Sequence, residues 1–449
     1  MKMSLNVCGF VFVALLGVEA SLADTTVFVN VNVVPMTSRN LLTAQSVLVE
    51  DGVITAVDNV DTLRIPEGAK IVDGTDRYLM PGLGEMHAHV PAANSRNLDR
   101  DFSLFVANGI TTVRGMLGQP SHIALRQQLL DGEIFGPRLI TSGPSLNGRS
   151  VNGAPDARRQ VREQAAAGYD FIKVHPGLSA DEFTALAETA NELGIPFAGH
   201  VPDVVGVRAA LRLNMATIDH LDGYLVSLLP PHSYESGGYG GFFDVMLAAE
   251  LDPQQIGAIA ADTAASGTWN VPTQILIEQR VSATPVSEVQ NRPEMKYMPA
   301  ATIERWVASK QALLGERGFD REVANLAIEL RRQLIRALHE AGARLLLGSD
   351  APQVFNVPGY SAHRELEVLV ASGLTPFEAL QTGTTAVAEF LGINTGTVQV
   401  GKDADLLLLD ANPLDDIENS RRIHGVMLRG AWLPAKALEN RLEKYRRSD

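Results

Sequence analysis

An H-x-H pair, His87 and His89, ends the largely apolar stretch Tyr78-Leu-Met-Pro-Gly-Leu-Gly-Glu-Met-His-Ala-His-Val90. On a β-strand, residues i and i+2 point to the same side, so both imidazoles can face one point at the strand's carboxyl end. A divalent metal ion accepts two such nitrogen ligands. Two solvated or hydrogen-bonded histidines are the alternative, and the pair alone leaves both interpretations open.

After this stretch, the sequence repeatedly passes from a helical pattern through a glycine into a buried apolar strand. Gly109, Gly168, Gly194 and Gly342 occupy this position, which suits glycine because a helix often ends with a positive φ. Alternating helices and apolar strands predict a parallel sheet with crossover helices. We count eight strands, ending near residues 89, 115, 142, 175, 201, 221, 274 and 350. The predicted fold class is therefore α/β, with a (β/α)8 TIM-type barrel over residues 82–390.

Both ends of the chain have a different, β-rich texture. Residues 24–81 contain short strands, with Asp51-Gly52 as a hairpin turn, and residues 391–449 read similarly. We expect one small β-sandwich domain formed by both termini. Residues 224–330 fit no compact repeat, and long insertions after barrel strands cover the active face, so we predict a substrate lid there.

The first 23 residues have the pattern of a secretory signal peptide. Lys2 supplies a basic start, residues 7–18 are mostly apolar, and Ser21-Leu-Ala23 puts small residues before Asp24. A membrane anchor is the alternative, which the short length and the cleavage pattern disfavour. We expect residues 1–23 to be removed and the mature protein to be secreted into the bacterial periplasm.

Composition restricts the partners and the metal chemistry. The formal net charge of −14 argues against nucleic acid or an anionic membrane surface as a partner. The single cysteine, Cys8, lies in the predicted signal peptide, so the mature chain would have no disulfide and no thiolate ligand. A metal ion would need histidine, carboxylate or lysine-derived ligands. The sequence is compatible with a homo-oligomer.

The H-x-H pair gains partners at the carboxyl ends of later predicted strands. Lys173, His200, His220 and Asp350 fall at these ends, where barrel enzymes keep their catalytic groups. Imidazoles and a carboxylate suit divalent ions. A lysine between two cations fits only if its neutral amine has captured CO2 to form a carbamate, an anionic bridging ligand. The alternative for Lys173 is an ion pair with Asp350 inside the barrel.

Together these residues resemble the amidohydrolase superfamily, nearest to its imidazolonepropionase-like and Xaa-Pro-dipeptidase-like branch. The likeness covers Pro81 to His89, the four residues above and Gly401 to Pro413, and it extends over the whole mature chain. It implies two divalent metal ions, with zinc as the expected metal. One ion would be held by His87, His89 and Asp350 and the other by His200 and His220, with carboxylated Lys173 and a hydroxide bridging them.

The expected reaction is hydrolysis of the C–N bond in a small dipeptide-like, N-acyl amino acid or cyclic amide substrate. Metal ions lower the pKa of bound water and polarise the scissile carbonyl, while Asp350 passes a proton to the leaving nitrogen. Two alternatives are a mononuclear hydrolase of the imidazolonepropionase or deaminase kind, and a non-catalytic periplasmic metal- or ligand-binding protein.

Four further residues are candidates for substrate contact or for support of the ligands. Dipeptidase-like members have a tyrosine two residues past the histidine equivalent to His200, where this chain has Pro202. Tyr224 or Arg114 could bind a substrate carboxylate instead. His175 has the same-face spacing from Lys173, and it could contact the substrate or serve a structural purpose. His363, with Glu365, could support Asp350. The remaining histidines, His122, His232, His339 and His424, are assigned no role.

Overall fold

The computed structural model describes residues 25–230 and 240–447. The predicted signal peptide, with Cys8, and His232 lie outside the described residues. The strands are β1 Thr26–Val33, β2 Leu42–Glu50, β3 Val53–Asn59, β4 Lys70–Asp73, β5 Tyr78–Pro81, β6 Leu83–Ala88, β7 Ile110–Gly115, β8 Arg138–Thr141, β9 Ile172–Val174, β10 Phe197–Gly199, β11 Thr217–Asp219, β12 Trp269–Val271, β13 Arg344–Leu345, β14 Leu406–Leu409, β15 Ile423–Leu428 and β16 Ala431–Pro434.

Helices connect the strands in the middle of the chain. The α-helices are α1 Leu98–Ala107, α2 His122–Leu130, α3 Ala154–Ala167, α4 Ala180–Leu193, α5 Val207–Arg212, α6 Ile256–Ser266, α7 Gln274–Val281, α8 Val286–Val289, α9 Ala300–Leu314, α10 Arg321–Glu340, α11 Tyr360–Ala371, α12 Pro376–Gly383, α13 Thr385–Leu391 and α14 Ala435–Glu443. Short 3-10 helices occur at Val226–Leu228, Phe242–Glu250, Pro253–Gln255, Pro293–Tyr297 and Ile417–Arg421. In the described part of the chain, no helix has the length and apolarity needed to cross a membrane.

The strands from β6 to β13 are parallel, which confirms the predicted α/β class. They form a three-stranded sheet, β6-β7-β8, and a five-stranded sheet, β9 to β13, in chain order. Parallel bridges connect the two sheets at both junctions, between Ser142 and Phe171 and between Ala88 and Ala351. The carboxyl ends of these strands therefore face the same side.

Local signals in the sequence place the helix and turn boundaries correctly in this region. Helix α4 begins with the predicted capping box, in which Ser179 accepts from the backbone N–H of Glu182 and the Glu182 side chain reaches back to Ser179. It ends at Gly194 with φ of 68°, a conformation that glycine adopts without steric cost. The crossover helix is thus delimited by its own sequence.

Strands from both ends of the chain form one sheet, in the order β16-β15-β14-β5-β1-β2-β3, with β4 beside β1. The predicted hairpin joins β2 and β3, and both Asp51 and Gly52 have positive φ, as a tight hairpin turn requires. Alternate residues of β14 face opposite sides. Leu406 packs in the sheet's own core with Phe28, whereas Leu407 packs in the main core.

The predicted lid, residues 224–330, is not one continuous insertion. Strand β12 lies within this range and pairs with β11 on one side and β13 on the other. All three of its residues are buried. Because β12 is a strand of the parallel sheet, the range consists of two connections, one before β12 and one after it. Residues 231–239, which include part of the glycine-rich run, lie outside the described residues.

The histidine of α11 connects the parallel-strand region to the C-terminal segment. His363 is fully buried, with Nδ1 at 2.9 Å from Ser420 Oγ and Nε2 at 2.9 Å from the carbonyl oxygen of Asn108. Burial lowers its pKa to about 4, so the ring is neutral. Both ring nitrogens therefore serve the fold.

We expect His363→Ala to lower the free energy of unfolding by about 2–4 kcal/mol, because two buried polar groups lose their partner. Urea unfolding followed by circular dichroism measures this. His339→Ala is the matched control, since the His339 side chain is half-buried and lies 3.6 Å from Glu378. Equal losses in both variants would contradict the assigned connection.

Candidate metal centre

The six predicted ligands converge at the carboxyl ends of the parallel strands. They are His87, His89, Lys173, His200, His220 and Asp350. Five of these side chains are buried and the sixth, His89, is 22% exposed. The strand ends thus bring together residues that are up to 263 positions apart in the sequence, from 87 to 350.

Asp350 lies at the middle of the group. Its Oδ1 is 3.1 Å from His89 Nε2 and 3.6 Å from His87 Nε2. Ligand atoms of His87, His220 and Asp350 all lie within 4.8 Å of one another. The rings of His200 and His220 are 4.8 Å apart between centroids. The tightest trio therefore takes one histidine from each of the two ligand sets that the family resemblance implies.

Each histidine has its Nδ1 directed toward another side chain, which leaves Nε2 for the centre. The neighbours of Nδ1 are Asp219 Oδ2 at 3.1 Å for His87, Gln353 Nε2 at 3.5 Å for His89, Asp222 Oδ2 at 2.9 Å for His200 and Thr273 Oγ1 at 2.7 Å for His220. For His200 and His220 the contact is a hydrogen bond, and groups in this position behind a metal-binding histidine orient the ring and fix its tautomer.

Electrostatics favour neutral imidazoles at this site. Burial lowers the pKa of His87, His200 and His220 well below its ordinary value, and the nearby Lys173 lowers it further. Burial also lowers the pKa of Lys173 to about 8, against the opposing effect of Asp219 and Asp350. Neutral imidazoles are the form that binds metal ions.

Buried polar atoms without a hydrogen-bond partner indicate which kind of ligand this site can hold. Among the described residues, Lys173 Nζ, Asp350 Oδ1 and Asp219 Oδ2 are buried and have no hydrogen-bond partner. A buried carboxylate oxygen without a partner is costly, and a divalent cation among neutral imidazoles would satisfy it. The donor set, nitrogen and carboxylate oxygen, suits such an ion. The residues therefore fit a metal centre.

Glu85 supports the centre, and our sequence analysis did not single it out. Its Oε1 accepts from the backbone N–H of Ser349 at 2.7 Å and of His87 at 3.2 Å, and its Oε2 accepts from Ser349 Oγ at 2.6 Å. Burial raises its pKa to about 7. A charged residue in an otherwise apolar strand was the available signal. Glu85 fixes the segment that carries Asp350 against the strand that carries His87.

Asp219 and Asp222 are two further residues that the sequence analysis missed. They flank His220 in the sequence, and that position was the available signal. Asp219 Oδ1 accepts from Arg114 Nη2 at 3.2 Å, and its Oδ2 lies 3.8 Å from Lys173 Nζ. Asp222 also accepts from the backbone N–H of Val201 at 3.2 Å. These carboxylates hold ligand side chains from behind.

Two of the predicted ligands have strained backbone conformations. His220 and Asp350 both have positive φ, of 63° and 61°, and Thr273, the neighbour of His220, has φ of 42°. Such conformations are unfavourable for these residues unless the surroundings hold them. The buried Arg331 donates to the carbonyl oxygen of His220 at 2.6 Å and to Gln274 Oε1 at 2.7 Å. Arg331 thus holds the strained turn from below.

The predicted substrate contacts separate into two groups. His175 is placed where it could contact a substrate. Its ring stacks on that of His200 with centroids 5.0 Å apart, and it lines a cleft of about 570 Å³ with Ser145, Asn147 and Arg149. Arg114 does not suit a substrate carboxylate, because it is fully buried and donates to protein oxygens.

Tyr224 and His363 do not lie where the sequence analysis expected them. The hydroxyl of Tyr224 is fully buried and hydrogen-bonds to Thr263 and Asn270, so it cannot serve a substrate. His363 serves the fold, and the carboxylate of Glu365 accepts from the first two N–H groups of α7. Asp350 is supported by Glu85 and Ser349 instead, because the paired strands bring these residues together.

Comparison with known proteins relates the chain to hydrolases. Residues 78–433, which are most of the chain, match the model of the amidohydrolase family. The chain is similar to ochratoxinase from Aspergillus niger, with 23% identity over 377 residues, covering 76% of this chain and 72% of the ochratoxinase.

Solved structures with the same fold include three enzymes of this kind. Bottromycin amidohydrolase has a TM-score of 0.72 and 24% identity, over 94% of this chain and 91% of that protein. A Xaa-Pro dipeptidase with bound methionine has a TM-score of 0.65 and 18% identity, over 91% and 100%. The Aspergillus niger ochratoxinase structure has a TM-score of 0.62 and 19% identity, over 92% and 96%.

We expect Asp222→Ala to weaken zinc binding by about 10–100-fold, because His200 loses the acceptor that orients its ring. Competition with a chromophoric chelator measures the affinity. Asp262→Ala is the matched control, since Asp262 forms a half-exposed ion pair with Arg208. An affinity for zinc equal to that of the control would contradict the role assigned to Asp222.

Proposed function

The chain belongs to the amidohydrolase family and is a hydrolase acting on carbon–nitrogen bonds; from this premise we propose that it uses two divalent metal ions to hydrolyse a small, dipeptide-like amide. One observation carries the proposal: four imidazoles, Asp350 and the amine of Lys173, which has no hydrogen-bond partner among the described residues, converge at one end of the parallel strands. Six donors exceed what one four-coordinate ion requires.

The fold we propose for this enzyme is a (β/α)8 barrel over residues 82–390 with a β-sandwich built from residues 24–81 and 391–449. The hydrogen bonds at both junctions between the parallel sheets support the barrel. Asp350 N donates to His87 O at 2.8 Å at one junction, and Leu146 N donates to Lys173 O at 2.9 Å at the other. The separate core of the terminal sheet, around Phe28, supports the second domain.

The metal ions we propose are zinc, held by His87, His89, His200, His220 and Asp350. Lys173 would act as the anionic ligand between the ions after its amine is carboxylated by CO2. Its Nζ is fully buried, without a hydrogen-bond partner in the described part of the chain, and its lowered pKa makes the reactive neutral amine accessible. Bound divalent ions would supply an activated water and polarise the scissile carbonyl.

Asp350 is our candidate for proton transfer. Its Oδ1 has no hydrogen-bond partner within residues 25–230 and 240–447 and faces the imidazoles of His87 and His89. A carboxylate in this position can accept a proton from the attacking water and deliver it to the leaving nitrogen. Glu85, through Ser349, keeps the carboxylate in place.

The cleft beside His175 is our candidate for substrate binding. Arg149 lines it and is exposed. Pro202 occupies the position where dipeptidase-like members carry a tyrosine, and neither Arg114 nor Tyr224 can replace that tyrosine. Arg149 is then the cation available for a substrate carboxylate, as in a dipeptide or an N-acyl amino acid.

One observation favours a second candidate, a mononuclear hydrolase. His87, His220 and Asp350 form the tightest trio and would suffice for one ion with an open coordination position. Metal content per chain discriminates between the two candidates. The proposed location is the bacterial periplasm, on the basis of the N-terminal sequence pattern alone.

We expect the purified protein to contain two metal ions per chain and to hydrolyse members of a panel of N-acyl amino acids, Xaa-Pro dipeptides and lactams. Asp350→Asn should lower kcat by about 10²–10⁴-fold, because the proton acceptor is lost. Lys173→Ala should lose metal and activity, and short carboxylic acids should restore both by replacing the carbamate. Metal analysis and kinetics measure these effects.

Lys436→Ala, at an exposed lysine, is the control for Lys173→Ala. One metal ion per chain together with an unchanged rate in Lys173→Ala would reject the two-metal proposal in favour of the mononuclear hydrolase. Metal binding without turnover of any panel member by the wild-type protein would instead favour a binding protein.

Arg149→Ala should raise KM about 10–100-fold for substrates with a free carboxylate, since a charge-assisted hydrogen bond is lost. The KM for carboxamide analogues of the same substrates should not change. Steady-state kinetics on matched pairs measures this. Arg158→Ala is the control, because Arg158 pairs with Glu188 on the surface. Equal KM values for Arg149→Ala and Arg158→Ala would rule out the assigned subsite.

A further inference from the structure

An aromatic side chain lies against the imidazoles of the candidate metal centre. The ring centroid of Phe243 is 5.9 Å from that of His200 and 5.0 Å from that of His220. The rings of Phe243 and His200 are nearly parallel, with an interplanar angle of 17°. Phe243 is half-buried, so its side chain keeps some accessible surface beside two predicted ligands. It adds an apolar, flat surface to a site whose ligand side chains are polar.

The backbone holds Phe243 in a conformation that residues other than glycine rarely adopt. Phe243 has φ of 51° and ψ of 44°, and Asp244 after it has φ of 60°. The following residues fix this turn, because Val245 is buried in the main core and the backbone N–H of Met246 donates to the carbonyl oxygen of Gly240 at 2.9 Å. Strained conformations of this kind persist where the surroundings hold them, and they are concentrated at functional sites.

A second aromatic ring fixes the orientation of Phe243. Phe242 packs edge-to-face against it, with centroids 4.7 Å apart and an interplanar angle of 89°. The guanidinium of Arg280 lies 4.3 Å from the centroid of Phe242. Edge-to-face pairs and cation–π contacts are both favourable arrangements of aromatic rings. The ring of Phe243 is therefore held in place by side-chain contacts as well as by its backbone.

Phe243 and the cleft beside His175 lie along one row of imidazoles. The ring centroid of His175 is 5.0 Å from that of His200, which is 4.8 Å from that of His220. Phe243 contacts the second and third rings of this row, whereas Arg149 lines the cleft together with the first. A dipeptide-like substrate with its carboxylate on Arg149 would extend along the row, which puts its acyl group beside Phe243.

We propose that Phe243 selects substrates with an aromatic acyl group, by stacking on that group next to the scissile carbonyl. The inference rests on the proposed hydrolysis and on the proposed contact of Arg149 with the substrate carboxylate. Aromatic pairs are more favourable than the burial of their area alone accounts for, so a flat aromatic group gains more from Phe243 than a saturated one does. The substrate class is then an N-aroyl amino acid.

Binding of a hydrolysis-resistant pair of compounds tests the contact without turnover. 3-Benzoylpropionate has a methylene group in place of the amide N–H of N-benzoylglycine, and 3-(cyclohexanecarbonyl)propionate is its saturated counterpart. We expect calorimetric titration of the metal-loaded protein to give about two- to tenfold tighter binding of the aromatic compound, because it alone stacks on Phe243. Phe243→Leu should remove this preference, and Phe243→Tyr should keep it.

Phe135→Leu is the matched control for Phe243→Leu. Phe135 is also half-buried, and a guanidinium, that of Arg441, lies 3.7 Å from its ring centroid. We expect this variant to keep the preference for the aromatic compound, and metal analysis should give the same metal content for all variants as for the wild type. Equal affinities of the two compounds for the wild-type protein, or an unchanged preference in Phe243→Leu, would overturn the proposal.

Hydrolysis of N-benzoylglycine and N-(cyclohexanecarbonyl)glycine separates this inference from the proposed function. We expect the wild-type protein to have the higher kcat/KM for the benzoyl compound, and Phe243→Leu to lose that difference. Hydrolysis of both compounds at equal kcat/KM by the wild-type protein would reject selection by Phe243 and leave the proposed hydrolysis intact. Tighter binding of the aromatic analogue without hydrolysis of either amide would support the contact with Phe243 and count against the proposed hydrolysis.

Discussion

The buried ion pair between Arg114 and Asp219 organises the interior on which the candidate metal centre rests. Neither side chain is in contact with water, and a buried charge without a partner is strongly destabilising. Asp219 meets this requirement through Arg114 and at the same time approaches His87 and Lys173. The positions of His87 and Lys173 therefore depend on the buried charges of Arg114 and Asp219 as well as on the geometry of the strands.

The side chains that contact the Nδ1 atoms of the ligand histidines also help to determine the geometry of the centre. A neutral imidazole has one donor and one acceptor nitrogen, so a neighbour at Nδ1 determines what Nε2 can do. Asp222 and Thr273 supply such neighbours for His200 and His220, and both come from loops that follow parallel strands. The positive φ of His220 and Asp350 shows that the backbone accepts strain at these positions. Preorganisation of the donors is the consequence, and it is the property that a hydrolytic metal site requires.

Much of the architecture could be predicted because its signals are local. Apolar runs bounded by glycine gave strand positions close to those observed, and the H-x-H spacing placed His87 and His89 beside Asp350. Glu85 escaped because its partner Ser349 is 264 residues away, and only the paired strands bring the two together.

Other expectations failed for the same reason. Tyr224 looked available because its partners, Thr263 and Asn270, belong to later elements. We treated the range 224–330 as one insertion although we also placed a strand end near residue 274 within it; that strand, β12, has only three residues and leaves a weak periodic signal. Hydrogen-bond partners that are distant in sequence are the information that periodicity and spacing do not contain.

The terminal sheet imposes an order on the maturation of the chain. Strand β5 pairs with β1 on one edge and with β14 on the other, and β14 follows it by more than 300 residues. During synthesis from the N-terminus, the edge of β5 that pairs with β14 therefore stays without a partner until the intervening strands and helices have been made. Exposed edges of this kind are where chains aggregate. Joining the two ends in one sheet therefore leaves this edge of β5 open until residues 406–409 have been synthesised.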